Sequence, residues 1–71
     1  MLDDTSRKVL RILFNLYRFN EFTIDVELLA RYAMRTEIQI KNSINTLVKD
    51  KYLLWDKVKG LYMIDRNMQE F

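Results

Sequence analysis

The sequence predicts a mainly α-helical fold with a small β-hairpin, formed as one domain over residues 1–71. Three observations predict it. Apolar residues recur every three or four positions in three segments, a capping residue precedes each segment, and two strand-like segments flank a turn that holds the single glycine. A chain of 71 residues can build one small hydrophobic core.

The first helix is expected over about residues 5–19. Asp4 or Thr5 is expected to cap it, because their side-chain oxygens can accept the free amide hydrogens of the first turn. Its apolar face is wide, and a domain this small has difficulty hiding so much of it. We therefore expect a homodimer through this helix, with Leu10, Phe14 and Tyr17 in the contact. The alternative for each aromatic residue is packing in the chain's own core.

Two further helices follow a short extended segment, residues 21–24, whose residues favour β structure. Asp25 is expected to cap the second helix, about residues 26–34. Thr36 is expected to cap the third, about residues 37–50. The periodicity of the third helix places these residues on its core side: Ile40, Ile44, Leu47 and Val48.

The hairpin is expected over about residues 52–65, because residues 52–56 and 61–65 are rich in aromatic and branched side chains. Residues 57–60 form the turn, where Gly60 can take a positive φ. We expect Trp55 to pack in the core between the hairpin and the helices. The alternative for Trp55 is a platform on which a nucleic-acid base stacks.

The segment LLARYAMRTEIQIKNSINTLVKDKYL resembles the helix-turn-helix of winged-helix transcriptional regulators. In that family a leucine–alanine pair lies in the second helix, which Leu29 and Ala30 match. A cap and three apolar positions follow in the third helix, which are matched by Thr36, Ile40, Ile44 and Leu47. The following KDKYLLWDKVKGLYMID resembles the family's exit into a two-stranded wing. The resemblance covers about residues 5–65.

The chain departs from the family at two turns. The turn between the helices usually has a glycine, where this chain has Met34 and Arg35, and the exit to the wing usually has another, where it has Lys51. Residues other than glycine can fill such turns at modest strain.

The resemblance implies a winged helix-turn-helix that binds double-stranded DNA sequence-specifically as a transcriptional regulator, by default a repressor. The small size resembles the minimal regulators encoded by archaeal viruses and plasmids and by phages. The third helix would lie in the major groove and the wing on the minor groove or the DNA backbone. The alternative is a winged-helix module that binds protein in a transcription or replication assembly.

The third helix carries polar chemistry opposite its core side. At about 100° per residue, the outward positions are Ile38, Asn42, Asn45 and Lys49, flanked by Gln39, Lys41 and Thr46. Asparagine and glutamine can pair with adenine, lysine can reach guanine or phosphate, and an outward isoleucine can contact a thymine methyl group. The alternative is a solvated helix face, although exposed asparagines are poor helix formers.

Phosphate contacts are expected at both ends of this region. Lys57 and Lys59 at the hairpin tip can reach the minor groove or phosphates, or they can simply keep the tip soluble. Arg35 and Thr36 at the start of the third helix can hold a phosphate, although Glu37 opposes it. Residues 35–60 contain six basic and three acidic side chains, so a basic excess lies here as well as in the first helix.

Composition argues against several other classes of function. The chain has no histidine and no cysteine, which are the commonest bases, nucleophiles and transition-metal ligands. We therefore expect no enzymatic activity, no cofactor and no metal, and no small-molecule ligand is evident from the sequence. No apolar run is long enough to span a membrane, and Leu2, Asp3 and Asp4 have the wrong charge for a secretory signal. A cytoplasmic location is expected, which is the host cytoplasm if the chain is viral.

Overall fold

The computed structural model describes residues 2–66. In chain order, the helices α1 (Asp4–Tyr17), α2 (Val26–Ala33) and α3 (Glu37–Lys49) precede the strands β1 (Leu53–Asp56) and β2 (Leu61–Ile64). The strands pair antiparallel as a two-stranded sheet. The predicted class, mainly α with a small hairpin, is confirmed at this level. No helix among residues 2–66 is both long and apolar enough to cross a membrane.

Helix α1 begins and ends earlier than the sequence predicts. Asp3 caps it, rather than Asp4 or Thr5, and accepts a hydrogen bond of 2.7 Å from the backbone N–H of Ser6. This bond stabilises the carboxylate and lowers the pKa of Asp3 below its ordinary value. The helix ends at Tyr17 instead of residue 19, because Arg18 takes a φ of 53° and turns the chain out of the helix.

Helices α2 and α3 each begin with a side-chain cap. Asp25 accepts a hydrogen bond from the backbone N–H of Leu28, and Thr36 accepts one from the backbone N–H of Gln39. The Gln39 side chain in turn accepts a hydrogen bond from the backbone N–H of Thr36, which completes a capping box. Each helix ends one residue before its predicted end, at Ala33 and Lys49.

The two turns that lack the expected glycine contain residues in the left-handed conformation. Met34 has a φ of 56° between α2 and α3, and Lys51 has a φ of 66° between α3 and β1. The backbone N–H of Met34 donates to the carbonyl oxygens of Ala30 and Arg31, which caps the end of α2. Met34 and Lys51 therefore adopt a conformation that favours glycine, at the cost of some strain.

Replacing Met34 by glycine is expected to raise the free energy of unfolding by about 0.5–1 kcal/mol. A residue with a Cβ in the left-handed conformation costs roughly 1–2 kcal/mol, and glycine removes this strain. The greater conformational freedom of glycine in the unfolded chain offsets roughly half of the stability gained. The Met34 side chain is 80% exposed, so little packing is lost. Thermal denaturation measures the change. The control, Met34→Ala, keeps the Cβ and should give no such gain; a glycine variant that melts below the alanine variant contradicts the prediction.

The hairpin is held at its tip by one carboxylate. The register pairs Trp55 with Tyr62 and Asp56 with Leu61. The strands cover residues 53–56 and 61–64, so each is one residue shorter than predicted. Asp56 Oδ1 accepts hydrogen bonds from the backbone N–H groups of Val58, at 2.9 Å, and Lys59, at 3.2 Å. Gly60 has a φ of 68°, the left-handed conformation that its lack of a Cβ favours. These bonds give the tip a defined shape.

The expected extended segment at residues 21–24 is reduced to a single β-bridge. Phe22 and Tyr62 exchange two backbone hydrogen bonds of 2.8 Å. This bridge joins the free edge of β2 to the chain between α1 and α2.

The core lies where the three helices meet the end of the hairpin that is farthest from its tip. Its buried apolar residues are Val9, Leu10, Leu13, Phe22, Leu29, Ala33, Ile40, Ile44, Leu47, Leu53 and Ile64. The prediction that Trp55 packs in this core is wrong, since its side chain is 44% exposed. The helices enclose the pair Leu53 and Ile64, whereas Trp55 lies two residues nearer the tip and rests against Tyr62, with ring centroids 4.5 Å apart.

Candidate nucleic-acid interface

One side of α3 is open to solvent along its whole length. We call this side the α3 face. It consists of the residues that helical periodicity places opposite the core, which are Ile38, Asn42, Asn45 and Lys49. Ile38 is 71% exposed, while Ile40 and Leu47 on the opposite side are fully buried. The core therefore fixes the rotation of α3 about its axis and leaves the α3 face with no packing role among the residues that the structure describes.

Two of the three residues that flank the α3 face already use their side chains in hydrogen bonds at the start of α3 or within it. The side-chain oxygen of Gln39 accepts hydrogen bonds from the backbone N–H of Thr36, at 3.0 Å, and from its hydroxyl group, at 3.2 Å. A two-point contact with adenine needs that oxygen as well as the amide nitrogen. Contact of Gln39 with adenine therefore stays a prediction, and it requires these exposed capping bonds to open. The hydroxyl group of half-buried Thr46 donates to the carbonyl oxygen of Asn42. Lys41 is exposed.

The expected phosphate ligands at the start of α3 make hydrogen bonds within the chain. They are Arg35 and Thr36. The guanidinium of Arg35 donates to the carbonyl oxygens of Ala33 and Met34, and its Nε lies 3.4 Å from the hydroxyl oxygen of Thr5 on α1. The Thr36 hydroxyl oxygen is the helix cap. Arg35 therefore joins the turn to α1, and the contact of Arg35 and Thr36 with phosphate stays a prediction.

The two lysines of the hairpin tip differ in their surroundings. Lys59 Nζ lies 3.4 Å from a carboxylate oxygen of Glu21, in an ion pair whose side chains are 58% and 41% exposed. Lys57 is exposed and has no ion pair within residues 2–66. Because solvent screens the Glu21 contact, it neutralises Lys59 only in part.

A groove of about 500 Å³ separates α3 from the hairpin, and we call it the α3–hairpin groove. It is lined by Lys41, Ile44 and Asn45 of α3, by Trp55, Gly60 and Tyr62 of the hairpin, and by Thr23, Ile24 and Val26. The groove places the hairpin beside the α3 face. Trp55 was predicted as a core residue, with base stacking as the alternative, and Tyr62 was not predicted as a site residue. The pairing of Trp55 with Tyr62 puts both side chains on one face of the hairpin.

The expected dimer residues of α1 lie mostly inside the chain. Leu10 is fully buried in the core, so its predicted role in a dimer contact is wrong. Phe14 and Tyr17 are half-buried, with Phe14 at the edge of Phe19 and Tyr17 stacked on Phe22. A homodimer through the remaining surface of α1 stays a prediction.

The described residues thus combine an exposed polar helix face, a hairpin with two lysines, and an apolar groove between them. Comparison of the chain with protein-family models, with curated proteins and with solved structures finds no match.

Proposed function

We propose that the chain is a winged helix-turn-helix protein that binds double-stranded DNA sequence-specifically. Helix α3 enters the major groove and the hairpin acts as a wing on the minor groove or the backbone beside it. The observation that carries this proposal is the position of the hairpin next to the α3 face, across the α3–hairpin groove. A protein that occupies a DNA site blocks other proteins from it, so repression of transcription is the proposed consequence.

The dimensions and chemistry of α3 suit the major groove. A helix of 13 residues is about 20 Å long, and the groove, about 12 Å wide, admits one helix. Asn42 and Asn45 can each make a two-point contact with adenine, and Lys49 can donate to guanine or phosphate. Ile38 can contact a thymine methyl group. This role accounts for an exposed isoleucine among asparagines, which a merely solvated helix does not need.

The hairpin supplies positive charge to the DNA backbone. Lys57 has no competing carboxylate among the described residues, and Lys59 has only the exposed contact with Glu21. Such an ion pair contributes roughly 0–1 kcal/mol, so a phosphate can replace Glu21 at little cost. The tip is already shaped by Asp56, which limits the conformational entropy lost on binding.

The affinity for duplex DNA is expected to fall steeply with salt concentration. If Lys41, Lys57 and Lys59 each neutralise one phosphate, the logarithm of the binding constant falls with the logarithm of salt with a slope of roughly −2.7. Titration of a pool of random duplexes at several salt concentrations measures the slope. Lys57→Ala should reduce its size by roughly 0.9, while Lys8→Ala on α1 serves as the control for charge alone. Absence of binding at low salt rejects the proposal.

A second candidate function is a winged-helix module that binds another protein. It is favoured by three exposed apolar side chains near the turn between α2 and α3, with exposures of 53% at Tyr32, 80% at Met34 and 71% at Ile38. Binding through such side chains depends little on salt. The salt titration therefore distinguishes the two candidates, since only DNA binding gives the steep slope.

A further inference from the structure

We propose that the α3–hairpin groove binds a small planar aromatic anion, which packs against Trp55 and Tyr62 and pairs its charge with Lys41. No small-molecule ligand is evident from the sequence alone. The groove forms only where α3, the hairpin and residues 23–26 come together.

The size and lining of the groove suit such a ligand. Its volume of about 500 Å³ falls within the roughly 300–1,000 Å³ of small-molecule sites, which are mainly apolar with a few polar groups. Ile24, Val26 and Ile44 supply apolar surface. Thr23 and Asn45 supply a hydroxyl and an amide that can orient a ligand.

The aromatic wall of the groove is supported from behind by a ladder of rings. Trp55 lies against Tyr62 at 4.5 Å, Tyr62 is stacked with Phe22 at 6.2 Å, and Phe22 is stacked on Tyr17 at 4.5 Å. Phe22, the third ring of the ladder, is buried in the core and so anchors the ladder. A flat ring that packs on Trp55 therefore meets a surface that is already ordered, and binding costs little conformational entropy.

The charge in the groove selects an anion. Among residues 2–66, Lys41 is the only charged side chain that lines it, and none of the described lining residues carries a carboxylate. Within residues 2–66, Lys41 also makes no ion pair. A carboxylate or phosphate on the ligand would give Lys41 the partner that the described residues do not provide.

Binding in this groove would also regulate the DNA interface. Lys41 and Asn45 line the groove and belong to the region of α3 that is proposed to contact DNA. A ligand held by both side chains competes with DNA for them. This consequence rests on the proposed function, whereas binding of the ligand itself does not.

The test uses indole-3-acetate as the probe and indole-3-acetamide as its uncharged control, added to the ¹⁵N-labelled chain without DNA. The chain has one tryptophan, so a single indole N–H signal reports on Trp55. We expect saturable shifts of this signal and of the Gly60 amide, with the acid binding about tenfold more tightly than the amide, as one charged hydrogen bond provides.

Three variants separate the contribution of charge to probe binding from the contribution of the aromatic surface. Lys41→Gln should abolish the tenfold preference for the acid and leave binding of the amide unchanged. Trp55→Leu should weaken both probes, as followed at the Gly60 amide. Lys8→Gln on α1 is the matched control and should change neither. Equal binding of acid and amide by the unmodified chain, or shifts confined to residues outside the groove, overturns the proposal.

A competition experiment distinguishes this inference from the proposed function. If both hold, indole-3-acetate lowers the affinity of the chain for duplex DNA, and Lys41→Gln raises the probe concentration needed for that effect about tenfold. Binding of the probe by a chain that binds no DNA leaves the groove site standing and rejects the DNA function. Binding of DNA with no binding of the probe rejects the groove site alone.

Discussion

Replacing Asn42 by alanine is expected to weaken binding to the preferred DNA sequence by roughly 5- to 150-fold. The side chain lies at the middle of the α3 face, exposed and pointing away from the core. A two-point contact between an amide and adenine contributes about 1–3 kcal/mol of discrimination, which corresponds to this range. Binding to a scrambled duplex should change far less, so sequence preference falls together with affinity. Fluorescence anisotropy on both duplexes, with the preferred one selected from a random pool, measures the effect.

The control for this variant is the same substitution on another helix. Asn15 is exposed on α1, so Asn15→Ala makes an identical change in side chain and helix propensity away from α3. It should leave both affinities unchanged. Lys57→Ala should weaken the preferred and scrambled duplexes alike, because a phosphate contact carries no sequence information. If Asn42→Ala behaves like Asn15→Ala while the helical signal is retained, α3 is not the element that reads the sequence.

Local signals in the sequence were sufficient to place α3 but not the end of α1. Thr36 followed by apolar residues at helical spacing defines both the start of α3 and its rotation, because cap and period act over a few residues. At the end of α1 the apolar pattern continues through Phe19, yet the helix stops at Tyr17. Arg18 is in an unusual conformation for a non-glycine residue. The Tyr17–Phe22 stack that follows is a tertiary contact, which helical periodicity does not contain.

The candidate site was predictable in its outward residues and in one of its internal hydrogen-bonded pairs, but not in those that depend on tertiary packing. The Thr36–Gln39 spacing does match a capping box, so the engagement of Gln39 had a local signal. Arg35 differs, because its contact with Thr5 joins residues 30 positions apart and depends on how α1 packs. The exposure of Trp55 likewise depends on how far the helices cover the hairpin. Long-range packing therefore decides which side chains of the interface remain available.

Replacing Leu47 by alanine is expected to cost about 2–5 kcal/mol of the free energy of unfolding. Leu47 is fully buried on the core side of α3, in the cluster to which all three helices and both strands contribute. The loss combines the transfer of the leucine side chain with the cavity that it leaves. A chain of 71 residues has a total stability of roughly 4–11 kcal/mol. The variant should therefore lose a large fraction of its stability, measured by urea denaturation.

The matched control is Leu16→Ala, the same substitution in the last turn of α1, where the side chain is 43% exposed. It should cost roughly 1 kcal/mol, because only part of its apolar surface leaves water on folding. Equal costs for the two variants contradict the described core. Leu47 has no atom on the α3 face, so the fraction of Leu47→Ala that remains folded at low temperature should bind DNA as tightly as the unmodified chain. Loss of affinity beyond the loss of folded protein would mean that Leu47 sets the position of α3, and not only its stability.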